Sequence, residues 1–332
     1  LIKWFPDRPG MATGLAIMGV GGGAMIGSPL AVWLMDQFAT ATSVGVMEAF
    51  VAMGVLYFAF MMFGVFTVRL PAPGWTPESY TATQHVATAS VLLAPAVGTP
   101  AGRSYAERRR VANDVHVNEA IRTPPFWLLW TVLCLNVTAG IGVLGQASPM
   151  IQEMFPDLIT AGAAAGFVGL LSLANMLGRF IWSSASDVIG RRRTYMIYFA
   201  LGAVLYALVP TTGEIGNIVL FVAFYCIIMS MYGAGFATIP AYLRDEFGVM
   251  HVGAIHGRLL TAWSVAGVAG PVLVNYIREY QITHGVVKAD AYSATMYLMA
   301  GLLVIGFVAN AFVRPVDPRH HFKPPEPDRA HG

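Results

Sequence analysis

The sequence predicts an all-α polytopic membrane protein with eight transmembrane helices, and three observations support this fold class. Hydrophobic residues make up 56% of the 332-residue chain and charged residues only 11%, whereas a typical soluble domain has about 25% charged residues. Eight apolar runs are long enough to cross roughly 30 Å of hydrocarbon as helices. Basic residues gather in alternate connections between these runs, which is the pattern expected of a multi-pass protein.

The predicted spans form two groups, separated by a long polar stretch. The first group comprises residues 12–34 and 44–68. The second group comprises residues 126–148, 161–184, 194–211, 216–237, 253–277 and 291–313. Most spans contain no Asp or Glu in their central portions, as expected for segments in contact with hydrocarbon.

Two polar segments lie outside the predicted spans. Residues 69–125 are rich in Pro, Thr and Ala and contain the run RSYAERRR. We expect them to form a central cytoplasmic loop, with one surface helix near residues 104–121. Residues 314–332 are Pro-rich, and we expect a cytoplasmic, disordered tail that does not pack.

The basic residues also predict the orientation. Seventeen of the 20 Lys and Arg residues lie before the first span, in the central loop, in alternate turns and in the tail. The opposite connections hold only Arg278 and Lys288, and Arg179 lies inside a span. The positive-inside rule therefore places the central loop and the C-terminus in the cytoplasm, with the protein in the inner (plasma) membrane.

The first and seventh spans resemble each other. They read GLAIMGVGGGAMIGSPLAV and GRLLTAWSVAGVAGPVLV, and each starts at a basic edge and reaches a proline about two-thirds of the way across. Six spans separate their positions, so the repeat unit is six helices, as in many secondary transporters. The residues expected to allow close packing or bending are Gly22, Gly27, Pro29, Gly267, Gly270 and Pro271.

A six-plus-six protein without its first four helices would leave the eight spans that the sequence shows. We therefore expect residues 1–68 to be the end of an N-terminal helical half. Residues 126–313 would be the whole C-terminal half. The chain begins with Leu1, and its first residues read as the middle of a longer protein.

Several strings carry a family resemblance. The motif DxxGRR at Asp187–Arg192 resembles the loop signature of the major facilitator superfamily. KWFPDRPGMATGLAIMGVGGGAMIGSPL, LNVTAGIGVLGQASPM, YGAGFATIPAYL and GAIHGRLLTAWSVAGVAGP resemble the oxalate/formate antiporter family. The resemblance implies the major facilitator superfamily fold, with eight of twelve helices present. It also implies an alternating-access transporter or exchanger of small organic anions.

The resemblance implies a gate at Asp187. In the superfamily this acid interacts with a helix N-terminus of the other half, which here is the segment near Arg8–Gly14. A carboxylate there is worth about 0.3–1 kcal/mol, and up to roughly 2 when partly buried, which is enough to bias a two-state gate. Gly190, Arg191 and Arg192 complete the expected gating motif, and one of the arginines can pair with Asp187. The alternative is a solvated, positive-inside turn.

Arg179 lies about two helical turns before Asp187, inside an apolar span. An arginine at such a position costs at least about 2.5–3.5 kcal/mol unless it faces a cavity or a partner. By resemblance it matches the family's substrate-binding arginine on the eighth of twelve helices, and Asn175 lies one turn away. The alternative is that the long side chain snorkels to the nearby interface.

Three aromatic residues and one amide complete the expected binding site. Tyr232 and Phe236 match aromatic positions that close over the substrate in the family, although this spacing also occurs in ordinary cores. Oxalate carriers place a lysine where this chain has Trp263, and the central part of 253–277 has no Lys or Arg. A single cation suits a monocarboxylate, or a larger acid with one recognised carboxylate. Asn136 adds a polar side chain to its span. This side chain either contributes to the site or forms a hydrogen bond with a neighbouring helix.

Other function classes find no support in the sequence. It has no Walker loop for ATP and no Cys/His metal-ligand spacing. No span holds a nucleophile–base pair, which argues against an enzyme, and none has Asp, Glu or His at mid-depth, which favours exchange over proton symport. We expect no cofactor and no nucleic acid, and a monomer whose partners are a small carboxylate and the lipid bilayer. A carrier of another solute and a transporter-like anion sensor remain alternatives.

Overall fold

The computed structural model describes residues 2, 4–69, 71–72 and 114–322, and within these ranges it confirms an all-helical membrane architecture. Eight helical segments are long and apolar enough to cross a membrane. The helices are α1 (Pro9–Phe38), α2 (Val46–Thr67), α3 (Val117–Ala120), α4 (Pro124–Leu144), α5 (Ala147–Met154), α6 (Ala161–Ile189), α7 (Arg191–Glu214), α8 (Ile218–Phe247), α9 (Val252–Leu259), α10 (Thr261–Thr283) and α11 (Ser293–Ala311). Short 3-10 turns lie at Asp290–Tyr292 and Pro318–His320.

Two predicted spans are broken rather than continuous. The span at 126–148 ends at Leu144 and resumes as α5, and the span at 253–277 is divided at Leu260 into α9 and α10. Other helices run past their apolar limits, since α8 continues from the predicted end at 237 to Phe247. Hydropathy identifies only the part of a helix that is apolar enough for hydrocarbon. It therefore does not show polar helix ends or breaks within a helix.

The helices run alternately up and down, which gives the bundle two ends. We call the end where α1, α7 and α9 begin, and α2, α6, α8 and α11 finish, the basic end. The other is the opposite end. The arginines described at or next to the basic end are Arg8, Arg69, Arg122, Arg191, Arg192, Arg193, Arg244, Arg258, Arg314 and Arg319.

The core lies in the second group of helices, α4 to α11. Its largest fully buried side chains are mostly aromatic and come mainly from α7 and α8; they include Tyr195, Tyr198, Phe199, Tyr206, Phe221, Tyr225 and Tyr242. The apolar side chains of α2 are mostly exposed, which suits a surface that meets lipid or other helices.

α1 packs along α6, and small residues make this contact close. A Cβ atom on Gly14 would lie 2.6 Å from the carbonyl oxygen of Arg179, and one on Gly22 would lie 2.5 Å from the sulfur of Met176. A larger side chain at Gly14 would push the helices apart, because a backbone atom cannot move aside, whereas one at Gly22 would first displace the flexible side chain of Met176. The contact joins the first group of helices to the second group.

The remaining residues expected to pack or bend behave differently from one another. A Cβ on Gly270 would lie 2.8 Å from the carbonyl oxygen of Thr138, so α10 and α4 touch there. Gly27 has only ordinary space, with Tyr57 Oη 3.6 Å away, and Gly267 meets no described atom within 4 Å. Pro29 and Pro271 lie inside helices that continue through them.

The prediction of an unpacked tail is wrong for residues 314–322. Val316 is buried, and His321 forms an isolated antiparallel bridge with Val115. The backbone N–H of Phe322 donates to the carbonyl of Asp114 at 2.6 Å. Proline prevents helix formation but leaves carbonyls and neighbouring N–H groups free to pair. Residues 323–332 lie outside the described residues, as does most of the surface helix expected near 104–121.

Candidate functional site

Arg179 is buried inside the bundle at only 3% exposure, so its side chain does not snorkel to the interface. Its Nε–H donates to Oδ1 of Asn175, one turn earlier on α6, at 2.8 Å. Its Nη1 is buried and has no hydrogen-bond partner among the described residues. A buried, unpaired guanidinium nitrogen is costly, which marks this position as one that a ligand would stabilise.

Aromatic rings from α8 and α10 surround this arginine. The guanidinium carbon of Arg179 lies over the ring of Phe236, 5.6 Å from its centroid, which is within cation–π range. The ring of Trp263 lies 4.4 Å from that of Phe236 and stacks on Tyr232 at 6.3 Å. Four predicted site residues from three helices therefore come together, and Asn175 joins them through its hydrogen bond to Arg179.

Asn136 lies on the other side of α8 from Asn175, and it lines a small cavity together with Tyr232. Gly233 packs on Asn175, and Gly235 packs on Asn136. Positions two apart in a helix point about 200° away from each other, so α8 separates the two amides. Oδ1 of Asn136 is buried without a described partner, and a cavity of about 10 Å³ adjoins it, close to the volume one water needs.

α1 completes the surroundings of Arg179. A Cβ on Gly21 would lie 2.7 Å from Oδ1 of Asn175 and 3.0 Å from Nε of Arg179. The arginine thus lies where the two groups of helices meet. Sequence reasoning did not single out Gly21, because three consecutive glycines offer no signal for which one faces a neighbour.

Asp187 binds the N-terminus of α1, as expected. Its Oδ1 accepts from the backbone N–H of Gly10 at 2.9 Å, and its Oδ2 accepts from that of Met11 at 2.8 Å. Arg191 pairs with Asp187 and donates to Ser186, and its Nε lies 3.3 Å from Oδ2 of Asp245. Arg191 is buried, so the alternative of a solvated turn does not fit this pair.

The other two residues of the motif have separate positions. Gly190 joins α6 to α7 with φ +93°, a conformation that favours glycine. Arg192 faces the end of α11, where it donates to the carbonyl of Ala311 and its own carbonyl accepts from Nδ2 of Asn310 at 2.9 Å. It does not pair with Asp187 in the described structure.

Sequence reasoning missed two charged residues of this region. Arg244, near the end of α8, donates from Nη2 to the carbonyl of Pro6 at 2.9 Å, and Asp245 contacts Arg191. Their signal was the charged run after the apolar part of α8, at the same end as the DxxGRR motif. The residues before α1 and the ends of α6 and α8 are therefore fastened together at the basic end.

The opposite end of the same junction is open. A cavity of about 540 Å³ separates α1 from α6 there. Its lining includes Ser28, Pro29, Trp33, Asp36, Val168 and Ser172. The two helices thus touch near Asp187 and Arg179 and diverge beyond them, which closes the junction at the basic end and opens it at the other.

Comparison with known proteins agrees with this architecture. A family model described as Major Facilitator Superfamily matches residues 1–271 and 138–331. The oxalate:formate antiporter of Oxalobacter formigenes is 26% identical over 270 residues, covering 81% of this chain and 55% of the relative. An uncharacterised transporter of Escherichia coli K12, YhjX, is 23% identical over 273 residues, covering 80% and 57%.

A third relative covers almost the whole chain. Apicoplast pyruvate carrier 1 of Toxoplasma gondii is 21% identical over 353 residues, which cover 96% of this chain and 62% of the relative. The chain therefore spans little more than half the length of these curated relatives. The family model covers the described helices of both groups, and the chain belongs to the Major Facilitator Superfamily.

Proposed function

We propose that this protein is a secondary transporter that exchanges small organic anions, mono- or dicarboxylates of the oxalate/formate type, by alternating access. One observation carries the proposal: Arg179 is buried at the junction of the two groups of helices with Nη1 unpaired among the described residues. A carboxylate is the natural partner for such a guanidinium. Two of the relatives carry names that refer to small carboxylates.

The surroundings of Arg179 favour an acid with one recognised carboxylate. Asn175 already occupies Nε, which leaves the Nη groups for the ligand. In the described part of the chain, no Lys and no second Arg lies in the cluster of Tyr232, Phe236 and Trp263, whose rings offer apolar faces instead. A monocarboxylate with a small apolar group would satisfy both features.

Asp187 supplies the gate in this proposal. Its carboxylate holds the first turn of α1 through two backbone N–H groups, and these bonds must break for the junction to open at the basic end. The excess of arginine there supports a cytoplasmic location for that end. The described conformation would then be open towards the outside, and a substrate would enter through the cavity between α1 and α6.

Counterflow in proteoliposomes tests the proposal. The full-length protein would be loaded in turn with oxalate, formate, lactate, pyruvate or malonate and supplied with the labelled acid outside. We expect saturable exchange of at least one acid, and a decrease of roughly 10- to 100-fold in Arg179→Gln, the worth of a hydrogen bond to a charged group. Arg193→Gln, an exposed arginine of the α7 start, is the matched control and should exchange normally.

Two outcomes would contradict the proposal. Equal exchange by Arg179→Gln and the wild-type protein would show that the arginine has a structural role. Saturable binding of an acid without exchange would favour a transporter-like anion sensor.

A further inference from the structure

His256 has an unusual environment for a histidine close to a predicted substrate site. It lies on α9, and its Nε2 is buried with no hydrogen-bond partner among the residues that the structure describes. Its ring lies 6.3 Å from that of Phe236, the same ring over which Arg179 lies. Phe236 therefore lies next to two side chains, each of which has a buried nitrogen without a described partner.

The unpaired polar atoms of the described chain are few and grouped. Four buried side-chain atoms have no partner there, and three of them belong to residues that pack on α8 between Tyr232 and Phe236. The three are Oδ1 of Asn136, Nη1 of Arg179 and Nε2 of His256. Unpaired buried polar atoms are rare in native proteins. Asn136 lies across α8, beside a cavity close to the size of one water, so Nη1 of Arg179 and Nε2 of His256, both next to Phe236, are the two atoms that indicate a site completed by something polar.

Other titratable groups near α9 are engaged elsewhere. Glu119 pairs with Arg122 and His320, and Arg258 donates to Val117 and Asn118. The titratable residues on the elements that pack on α9 are His116 and Glu119 next to and on α3, Cys134 on α4, Tyr225, Cys226, Tyr232, Tyr242, Arg244, Asp245 and Glu246 on α8, and His251 and Arg258 of its own segment. None of them is hydrogen-bonded or ion-paired to His256 in the described ranges. On α10, the titratable residues Tyr276, Arg278, Glu279 and Tyr280 lie towards the opposite end.

We propose that His256 is a proton-binding site that couples proton movement to the carboxylate transport proposed above, on which this inference rests. A proton on Nε2 would create a buried cation with no acid to balance it in the described structure. A bound carboxylate supplies the missing negative charge. The two ligands therefore favour each other's binding, and the coupling is reciprocal.

For a monocarboxylate, the charge of the anion and the charge of the bound proton cancel. One proton forms an N–H bond at Nε2 when the anion binds at Arg179, and it leaves when the anion leaves on the other side. One negative and one positive charge cross together, so the net movement is electroneutral. When protonated, His256 would supply a second cation to the site. In the described part of the chain, Arg179 is the only other cation there.

Proton flux measured beside anion flux tests the inference. Proteoliposomes with an internal pH dye and no internal acid would receive labelled oxalate, formate, lactate or pyruvate. These acids stay largely ionised above about pH 6, so any pH dependence belongs to the protein. For the transported acid we expect one proton per monocarboxylate. Half-saturation should rise about tenfold per pH unit on the alkaline side of the imidazole titration, as one linked proton requires.

The matched variants are His256→Gln and His251→Gln, two histidines of the same short segment. We expect His256→Gln to continue to exchange the acid at a rate that no longer depends on pH, with no dye signal, and His251→Gln to keep the wild-type slope. His256→Asn would repeat the test, and elution on size-exclusion chromatography would show that each variant is folded. A slope and a dye signal that persist in both folded His256 variants would overturn the inference.

The failure of each proposal has its own signature. Wild-type uptake into acid-free vesicles without proton flux, or exchange whose half-saturation does not depend on pH, would overturn the role of His256 and leave the carboxylate transporter intact. The absence of any acid exchange by the folded wild-type protein would overturn the proposed function and this inference with it.

Discussion

At the scale of single residues, the site depends on how one guanidinium is held. Asn175 fixes Nε of Arg179 at 2.8 Å, and Phe236 lies beneath the guanidinium. The arginine is therefore oriented by its own helix and by a ring of α8. A ligand meets a group whose position is already set, which lowers the entropy that binding must overcome.

Removal of the amide should weaken the site. In Asn175→Ala the Nε–H loses its acceptor, and the half-saturation concentration for exchange should rise about tenfold, since a hydrogen bond to a charged group is worth about 1.5–3 kcal/mol. Ser184→Ala on the same helix, where the hydroxyl bonds only the backbone of Phe180, should leave it unchanged. Equal half-saturation in both variants would show that Arg179 does not need its orienting partner.

At the scale of elements, the contact between α1 and α6 depends on glycine and on one carboxylate. A Cβ at Gly14 would lie 2.6 Å from the carbonyl of Arg179. Gly14→Ala should therefore separate the helices and reduce exchange at least severalfold, because a backbone atom cannot move aside as a flexible side chain can. Gly19→Ala, whose Cβ would meet no described atom within 4 Å, is the control. Normal exchange by Gly14→Ala would contradict the close packing.

Weakening of the gate should expose the junction at the basic end. Asp187→Asn loses the charge that holds the N-terminus of α1, so the closed state should lose about 0.3–2 kcal/mol, a change of roughly 2- to 30-fold in population. A cysteine at the buried position Thr13, in a protein without Cys134 and Cys226, would report this as faster maleimide labelling. Asp317→Asn in the tail should label as the parent does. No acceleration in Asp187→Asn would contradict its role as a latch.

The elements also show what sequence reasoning could reach. Eight spans follow from composition, because hydrocarbon accepts only long apolar helices. The contact of Asp187 with the first turn of α1 follows from the motif. The breaks near Gly145 and Leu260 do not, since hydropathy measures side chains and ignores the backbone.

Long-range contacts could not be predicted from the sequence for a different reason. Arg192 and the tail find partners more than a hundred residues away, and no local pattern specifies them. The sequence does not mark His256 as a site residue, because it lies near the end of its span, where a polar side chain carries no functional signal. Only the packing shows that its Nε2 is buried beside Phe236.

At the scale of the whole molecule, the described contacts leave the junction between α1 and α6 as the place where the helices can move most easily. On the opposite side, Arg278 pairs with Glu153 at 2.6 Å, and both contact Tyr292. This cluster ties α5, α10 and the start of α11 within the second group of helices. Among the described contacts, the junction between the groups is held at the basic end and near Arg179 and is open beyond them, so its opening and closing can be a rigid-body movement about Arg179.

The most direct test of this account is equilibrium binding of labelled acids to the purified full-length protein, without transport. We expect saturable binding of one small carboxylate by the wild-type protein and by Arg193→Gln. Arg179→Lys, which keeps the charge but not the fork, should bind more weakly, and Arg179→Gln weaker by at least about tenfold. Equal affinity in Arg179→Gln and the wild-type protein would contradict the claim that Arg179 receives the carboxylate.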